Sequence, residues 1–332
     1  MAEACDRDIA FDADGTITYG TVHIPAHRDG QRLAAALLIA GSGPTDRDGN
    51  VPMLNVNPRT LRLIAAVLGG LGIMSLRFDK YFSGQTGGGG YAADPARIDL
   101  NAYIRQAGAA YDTLRAQPES EQEQLLVVGH SEGGLYTLLL ARSAQPRPAG
   151  IALIEPQADQ LLSSIELQAN GQLDAAVAVG RIEPAVAVQN SQAVKRAIAD
   201  FRAGRPVDTS GLLPGIVDLL TPELLTAVNE RYVREDDAVR PASIAAQIAP
   251  GTRVLVTAGT LDANVPAPTI QPLADALVRV GATGPGLRVL DGVDHFLHVA
   301  GERAGEPLLA PAVVAALTEW AQPYAIAGAG AG

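Results

Sequence analysis

The chain has 332 residues, of which 47% are hydrophobic, and a formal net charge of −11 at pH 7. This composition is typical of a globular protein and argues against intrinsic disorder, and the length predicts one core with an insertion. An acidic surface repels phosphate backbones and anionic membranes, so neither a nucleic acid nor a membrane is expected as a partner. Cys5 is the only cysteine, which excludes an intrachain disulfide and a cysteine-based metal site.

The amino-terminal segment, MAEACDRDIAFDAD, is acidic where a signal peptide has a basic start and an apolar run. The longest apolar runs, such as residues 33–40, are too short to span a bilayer. We therefore expect a soluble, cytoplasmic protein. The sequence gives no indication of its oligomeric state.

The first predicted elements are strands. Residues 9–25 alternate in hydrophobicity around a glycine-containing turn, which predicts an antiparallel hairpin at a sheet edge. Further along the chain, nearly continuous apolar runs are typical of strands covered on both faces, as in a parallel sheet. These runs are 33–40, 72–78, 124–130, 150–156, 252–259 and 287–292.

Helical patterns lie between these strands. Asn57 and Pro58 provide a cap and a first-turn proline for a helix that ends near Gly70. Further helices are predicted from Asp94–Pro95 to about residue 117, over 132–143, and over 308–322. This alternation of strands and helices predicts an α/β fold with a mostly parallel central sheet flanked by helices.

Residues 157–248 interrupt the alternation, because they contain amphipathic segments and no convincing strand. A structureless loop of this length is unusual in a compact domain. We predict a helical cap inserted into a core formed by residues 1–156 and 249–332. The alternative is that these segments are additional core helices.

The motif Gly129-His130-Ser131-Glu132-Gly133 fits G-x-S-x-G, with a buried strand before it and a helix after it. Such a turn lifts the serine hydroxyl clear of the sheet, at a helix N-terminus whose dipole favours negative charge. The simpler interpretation is a glycine-rich turn with a capping serine. In this motif and its context, the chain outside 157–248 resembles the α/β-hydrolase family, which implies the α/β-hydrolase fold and Ser131 as nucleophile.

A serine nucleophile needs a histidine base, and the base needs an orienting carboxylate. The resemblance implies the chain order serine, acid, histidine. His295 and His298 both follow the last strand, and His295 is predicted as the base. His298 is the alternative.

Asp262 is predicted as the acid, because it follows the strand 252–259 and the segment 259–266 resembles the G-x-x-D-x-x-V-P pattern of the family. Glu155, after an earlier strand, and Asp294, beside the histidine, are the alternatives.

The family resemblance also implies an oxyanion hole made by the backbone N–H groups of Glu132 and Ser42. Gly41 and Gly43 would let this loop approach the substrate closely. The run GSGPTDRDGN (41–50) resembles a subgroup of bacterial carboxylesterases with Gly-Ser-Gly-Pro-x-Asp-Arg-Asp. Its charged residues form either a local ion-paired network or a solvated turn. These residues are Asp46, Arg47 and Asp48.

The segment after the strand 72–78 departs from the family pattern, because Tyr81-Phe82 replace an Arg-Gly pair and four glycines follow at 87–90. We predict that Tyr81 and Phe82 line the substrate pocket beside Ser42, with the glycines as a mobile rim. The alternative is a tolerant surface loop. His130, Gly41 and Gly43 are also assigned to the pocket.

These residues together predict a hydrolase of carboxylic esters that acts on a small-molecule acyl substrate. No metal or organic cofactor is expected, since no His/Asp/Glu spacing indicates a metal site. A thioesterase, an amidase or peptidase, or an acyltransferase could use the same residues. A non-catalytic ligand-binding protein is a further alternative. Haloalkane dehalogenase chemistry is disfavoured, because it uses aspartate at the position of Ser131.

Overall fold

A computed structural model of the chain describes residues 1–299 and 307–326. Two compact units are present, and the chain passes between them more than once. The first unit consists of Met1–Ala92, Asn101–Ala158 and the chain from Pro241 onward. The second consists of Ala93–Leu100 and Asp159–Arg240.

The first unit is built on a sheet with eight strands in the described part of the chain, in the order β1-β2-β4-β3-β5-β6-β7-β8. The strands β3 to β8 run parallel to one another, whereas β2 pairs antiparallel with both β1 and β4. The strands are β1 Cys5–Ala13, β2 Thr16–Ile24, β3 Leu33–Ile39, β4 Met74–Phe78, β5 Ser120–His130, β6 Gly150–Ile154, β7 Arg253–Gly259 and β8 Thr283–Leu290. The predicted edge hairpin and mostly parallel sheet are confirmed.

Helices cover both faces of this sheet. All helices are numbered in chain order. Apart from Leu100, the first residue of α2, the helices of the first unit are α1 Thr60–Gly70, α2 Leu100–Arg115, α3 Glu132–Ser143, α8 Pro241–Ala245, α9 Gln271–Arg279 and α10 Pro311–Ala321. The helices α1 and α10 pack on one face, against alternate residues of β3, β5, β6 and β7. Helix α3 packs on β5 and β6. Because both faces are covered, every residue of β3 is buried, which explains its continuous apolar sequence.

The second unit is helical. Its helices are α4 Leu161–Ala178, α5 Pro184–Arg202, α6 Pro214–Leu220 and α7 Glu230–Asp237. They share their own apolar cluster, centred on fully buried Leu162, Val194 and Leu220. A salt bridge of 2.8 Å joins Arg202 on α5 to Asp237 at the end of α7.

Several element boundaries differ from the predicted ones. Helix α1 begins at Thr60 rather than at Pro58 after a cap at Asn57, because Arg59 has a left-handed backbone with φ 55°. Helix α2 begins at Leu100, after a short 3₁₀ turn at Pro95–Arg97. Strand β8 starts at Thr283, and its first residues are partly exposed at the sheet edge, so they carry no apolar run. None of the helices in the described part of the chain has the length and hydropathy of a transmembrane span.

We expect Leu38→Ala to lower the free energy of unfolding by about 2–5 kcal/mol, since Leu38 is 0% exposed between the sheet and α1 and its loss leaves a cavity. The control, Val278→Ala on α9, removes a side chain that is 71% exposed and should change stability by less than about 0.5 kcal/mol. Urea unfolding of both variants measures the difference. Equal effects would contradict the position of Leu38 in the core.

Candidate active site

The turn between β5 and α3 carries Ser131 in a strained backbone conformation. Ser131 has φ 55° and ψ −124°, a region that residues with side chains rarely adopt. Its N–H donates to Ile154 O at 2.9 Å, and its carbonyl accepts from the N–H groups of Gly134 and Gln157 at 2.9 and 3.0 Å. These bonds tie the turn to the end of β6 and to the segment after it. The side chain is consequently left facing outward and partly exposed.

The glycines around Ser131 are required by close backbone contacts. A Cβ on Gly129 would lie 2.0 Å from Gly133 O, and one on Gly133 would lie 2.3 Å from Ile39 O. A Cβ on Gly41, in the loop after β3, would lie 3.0 Å from the Cβ of Ser131. The turn and the loop after β3 can approach each other this closely only without side chains at these positions.

The structure brings Ser131, His295 and Asp262 together in one line of hydrogen-bonded groups. His295 Nε2 lies 3.1 Å from Ser131 Oγ, and His295 Nδ1 lies 2.7 Å from Asp262 Oδ2. Both distances are within hydrogen-bond reach. Asp262 and His295 are 5% and 9% exposed, so their interaction is shielded from water. The arrangement allows His295 to remove the proton of Ser131 while Asp262 holds the ring and stabilises its positive charge.

The loop after β7 fixes the orientation of Asp262. The other carboxylate oxygen of Asp262, Oδ1, accepts from the N–H groups of Asn264 and Val265 at 2.7 and 2.8 Å. With Oδ1 occupied in this way, Oδ2 is the oxygen directed at the histidine. The G-x-x-D-x-x-V-P pattern is thus a turn that aims the carboxylate.

The two residues considered as alternative acids, Asp294 and Glu155, make other hydrogen bonds. Asp294 Oδ1 accepts from the N–H groups of Phe296 and His298, each at 2.9 Å, so it stabilises the loop that presents His295. Glu155 is fully buried at the end of β6, and its Oε2 accepts from Gly259 N at 2.6 Å. None of the hydrogen bonds observed for these residues joins them to the ring of His295.

Burial raises the pKa of Glu155 to about 7, with a smaller contribution from the negative charge of Asp262. Its Oε1 is buried and has no hydrogen-bond partner among the described residues. An ionised carboxylate with one unsatisfied oxygen is costly inside a protein, so the neutral acid is favoured below about pH 7.

His130, assigned to the substrate pocket from sequence, is 6% exposed and supports the loop that carries His295. Its Nε2 lies 2.8 Å from the carbonyl oxygen of His295, and the two rings are 5.0 Å apart. Burial, followed by the charge of His295, lowers the pKa of His130 to about 3. His130 is therefore neutral near neutral pH and donates Nε2–H to this carbonyl.

The predicted oxyanion loop follows β3. Ser42 and Gly43 are exposed, whereas Gly41 is buried against Ser131. Thr45 Oγ1 donates to the carbonyl of Ser42 at 2.8 Å, which limits rotation of the loop. Glu132 is the first residue of α3, so its N–H belongs to the helix N-terminus.

The charged residues of this loop do not form ion pairs with one another, which was one of the two interpretations of the sequence. Arg47 makes a bidentate pair with the buried Asp79, with Nε–Oδ1 and Nη2–Oδ2 distances of 3.1 and 2.7 Å. Asp48 accepts from Arg77 Nε at 3.0 Å, and Asp46 accepts from backbone N–H groups. Arg77 and Asp79 lie on β4 and directly after it, whereas the N–H groups bonded to Asp46 belong to the loop itself. The loop is therefore neither a local ion-paired network nor a solvated turn.

Tyr81 and Phe82, the predicted pocket residues, have different environments. Tyr81 is 0% exposed, and its hydroxyl donates to Ala13 O at 3.2 Å, so it presents no surface to a substrate in this structure. Phe82 is half-buried with φ 67°. In the glycine segment, a Cβ on Gly89 would lie 2.1 Å from Thr16 Cγ2, so this segment is packed on β2.

Lys80 is a buried residue of the site to which sequence reasoning assigned no role. It is 2% exposed, and its Nζ donates to Gly41 O at 2.7 Å and to Glu132 Oε2 at 2.9 Å. The sequence shows only a lysine two residues after β4 and a glutamate next to the serine of the turn. Nothing in the local sequence predicts that the two side chains meet.

We expect Gly133→Ala to lower the free energy of unfolding by about 1–3 kcal/mol or to prevent folding, because the new Cβ overlaps Ile39 O. The matched control, Gly108→Ala in α2, adds a Cβ with no atom within 4 Å and should stabilise the helix by up to about 1 kcal/mol. Thermal unfolding compares the two variants. A tolerated Gly133→Ala would contradict the close contact at the turn.

We expect Glu155→Gln to change how stability depends on pH. Because burial raises the pKa of Glu155 from 4.5 to about 7, this group stabilises the fold fully below pH 4.5, and the contribution is lost as the pH rises through 7. The glutamine variant lacks this loss. The difference between the melting temperatures of Glu155→Gln and wild type, measured at the same pH, should therefore shift in favour of the variant from about pH 5 to about pH 8. A difference independent of pH would contradict a neutral Glu155.

Comparison with known proteins agrees with this architecture. The sequence matches no protein-family model and no curated protein. Solved structures do match. An α/β hydrolase of Penicillium sp., GrgF, has a TM-score of 0.58 and 17% identity, covering 97% of this chain and 99% of that one.

Two further neighbours have named activities. The Pyrococcus furiosus esterase PF2001 has a TM-score of 0.57 and 12% identity, covering 97% of this chain and 91% of that one. The proline iminopeptidase of Mycobacterium smegmatis has a TM-score of 0.57 and 16% identity, covering 96% and 99%. At these identities the likeness establishes the architecture alone, and the chain therefore has the α/β-hydrolase fold that its sequence predicted.

Proposed function

We propose that the protein is a serine hydrolase that cleaves carboxylic esters through an acyl-enzyme on Ser131. The observation that carries this proposal is the line of contacts from Ser131 Oγ to His295 Nε2 at 3.1 Å and from His295 Nδ1 to Asp262 Oδ2 at 2.7 Å. A strained serine at a helix N-terminus, beside a histidine held by a buried carboxylate, is the arrangement that nucleophilic acyl transfer requires.

In the first half of the reaction, Ser131 Oγ attacks the ester carbonyl carbon while its proton passes to His295 Nε2. Asp262 stabilises the imidazolium that forms. The carbonyl oxygen becomes an oxyanion that accepts hydrogen bonds from the backbone N–H groups of Glu132 and Ser42. The tetrahedral intermediate then breaks its bond to the alcohol oxygen, which takes the proton from His295 and leaves as the alcohol.

In the second half, His295 removes a proton from a water molecule, whose oxygen attacks the acyl carbon. The new tetrahedral intermediate collapses, Ser131 Oγ recovers the proton from His295, and the carboxylic acid leaves. Neither half needs a metal or an organic cofactor.

Support for the ester as substrate comes from the neighbours, since the Pyrococcus furiosus protein is an esterase. Another neighbour is a proline iminopeptidase, so amide cleavage is the second reaction that the same residues could perform. The role of the helical insertion as a cap that selects substrates is part of this proposal. It is supported by its place in the chain, directly after β6 and before β7.

We expect Ser131→Ala to lower kcat for ester hydrolysis by at least about a thousandfold and to abolish labelling by a fluorophosphonate, because the nucleophile is lost. Asp262→Asn should keep Ser131 but lower kcat by a comparable factor, since the histidine loses its orienting carboxylate. The control is Ser143→Ala, at the other end of α3, which should keep the wild-type kcat and labelling. Labelling that persists in Ser131→Ala would contradict the proposal.

The substrate class is tested by a panel of p-nitrophenyl esters with short, medium and long acyl chains, together with matched thioesters and aminoacyl amides. The proposal predicts the highest kcat/KM for an ester. A clear preference for a thioester or an amide would retain the catalytic residues and replace the substrate class. An enzyme that is labelled but turns over none of the panel would contradict hydrolysis of these bonds.

A further inference from the structure

A buried lysine contacts one peptide group of the proposed oxyanion hole and the side chain of the residue that carries the other proposed donor. Lys80 Nζ donates to the carbonyl of Gly41 at 2.7 Å and to the carboxylate of Glu132 at 2.9 Å. The Gly41 carbonyl belongs to the same peptide group as the N–H of Ser42. Glu132 carries the other proposed donor on its own backbone. Lys80 thus bonds to the Gly41–Ser42 peptide group and to the side chain of Glu132.

The geometry of a peptide group makes the first of these contacts directional. In a planar trans peptide, the C=O and the N–H point in opposite directions. A donor that holds the Gly41 oxygen therefore fixes the Ser42 N–H to point away from Lys80. The position of Gly41, whose added Cβ would lie 3.0 Å from Ser131 Cβ, places this peptide group beside the nucleophile.

The charge of Lys80 adds an electrostatic effect. A cation at the carbonyl oxygen withdraws electron density from the peptide group and makes its N–H a stronger donor. Glu132 and Lys80 are 4% and 2% exposed, so little water screens this interaction. The ammonium group also lies 5.0 and 5.3 Å from the ring centres of Tyr103 and Tyr136, which attract a cation.

A buried ion pair of this kind is a poor source of stability. Removing two charges from water costs about as much as their attraction returns, and an apolar replacement of similar volume is often neutral or stabilising. A contribution to catalysis therefore accounts for the pair better than a contribution to folding.

We propose that Lys80 is a positioning residue for the oxyanion hole: it orients and polarises the Gly41–Ser42 peptide group, and Glu132 anchors it. This inference rests on the proposed function. It predicts that loss of Lys80 weakens stabilisation of the transition state without weakening substrate binding. Deleting a donor from such a hole lowers kcat by about 10²–10³-fold. Loosening a donor without removing it should lower kcat less, by about 10- to 100-fold.

The test uses Lys80→Met together with Glu132→Gln, so that no unpaired charge remains buried. A second version, Lys80→Met with Glu132→Met, is an alternative in case glutamine destabilises the fold. The control removes the ion pair between Arg7 and Glu119, 2.7 Å apart on the same unit, by Arg7→Met with Glu119→Gln. The melting temperature and fluorophosphonate labelling of Ser131 report whether each variant keeps its fold and its nucleophile.

The decisive readouts are kcat, KM and the inhibition constant of a trifluoromethyl ketone analogue of the best ester. The ketone forms an adduct with Ser131 whose oxyanion occupies the hole. We expect kcat to fall about 10- to 100-fold with KM within about twofold of wild type, and the inhibition constant to rise in parallel with the loss of kcat. The Arg7 control should keep all three values.

Unchanged kcat in a folded Lys80 variant would overturn the inference, as would a rise in KM alone. Failure of both Lys80 variants to fold would also overturn it, because the pair would then be structural. These results differ from a failure of the proposed function, which would leave the wild-type protein itself unlabelled and inactive toward esters.

Discussion

The site depends on one strained backbone position, Ser131, which the surrounding chain holds at φ 55°. Such a conformation costs about 1–3 kcal/mol and persists only where neighbouring contacts determine it. Hydrogen bonds from the end of β6 and from the segment after it hold the turn, and the absence of side chains at Gly129 and Gly133 lets α3 start close to β3. The strained turn leaves the hydroxyl partly exposed and 3.1 Å from His295 Nε2.

The parallel sheet brings the remaining groups to the same place. Consecutive residues after β4 hold both ends of the loop after β3: Asp79 pairs with Arg47, and Lys80 bonds to the Gly41 carbonyl. On the other side of the nucleophile, His130 supports the loop of His295. These buried polar groups cost desolvation energy, and each is compensated by a specific partner. These partners place the charged groups around Ser131.

Much of this arrangement could be predicted from the sequence, because it depends on local patterns. Continuous apolar runs predicted the strands, and the glycines around Ser131 predicted the turn. The order of Ser131, Asp262 and His295 came from a family resemblance. What local patterns could not predict were contacts between distant segments, such as those of Lys80 and Arg47. The start of α2 was placed too early, because Asp94–Pro95 is typical of both a helix and a short 3₁₀ turn. The pocket assignment of Tyr81 could not be checked against local sequence, because its burial comes from contacts with Ala13 on β1 and Tyr103 on α2.

The central claim is that a covalent intermediate forms on Ser131 with His295 as its base. Rapid-quench mass spectrometry with an activated p-nitrophenyl ester tests this claim most directly, by locating the acyl group after peptide digestion. The account predicts about one acyl group per chain, on the peptide that contains Ser131, and a much slower appearance of this adduct when His295 is replaced by alanine. An acyl group on another residue, or product release with no adduct on Ser131 under conditions that trap acyl-enzymes, would contradict it.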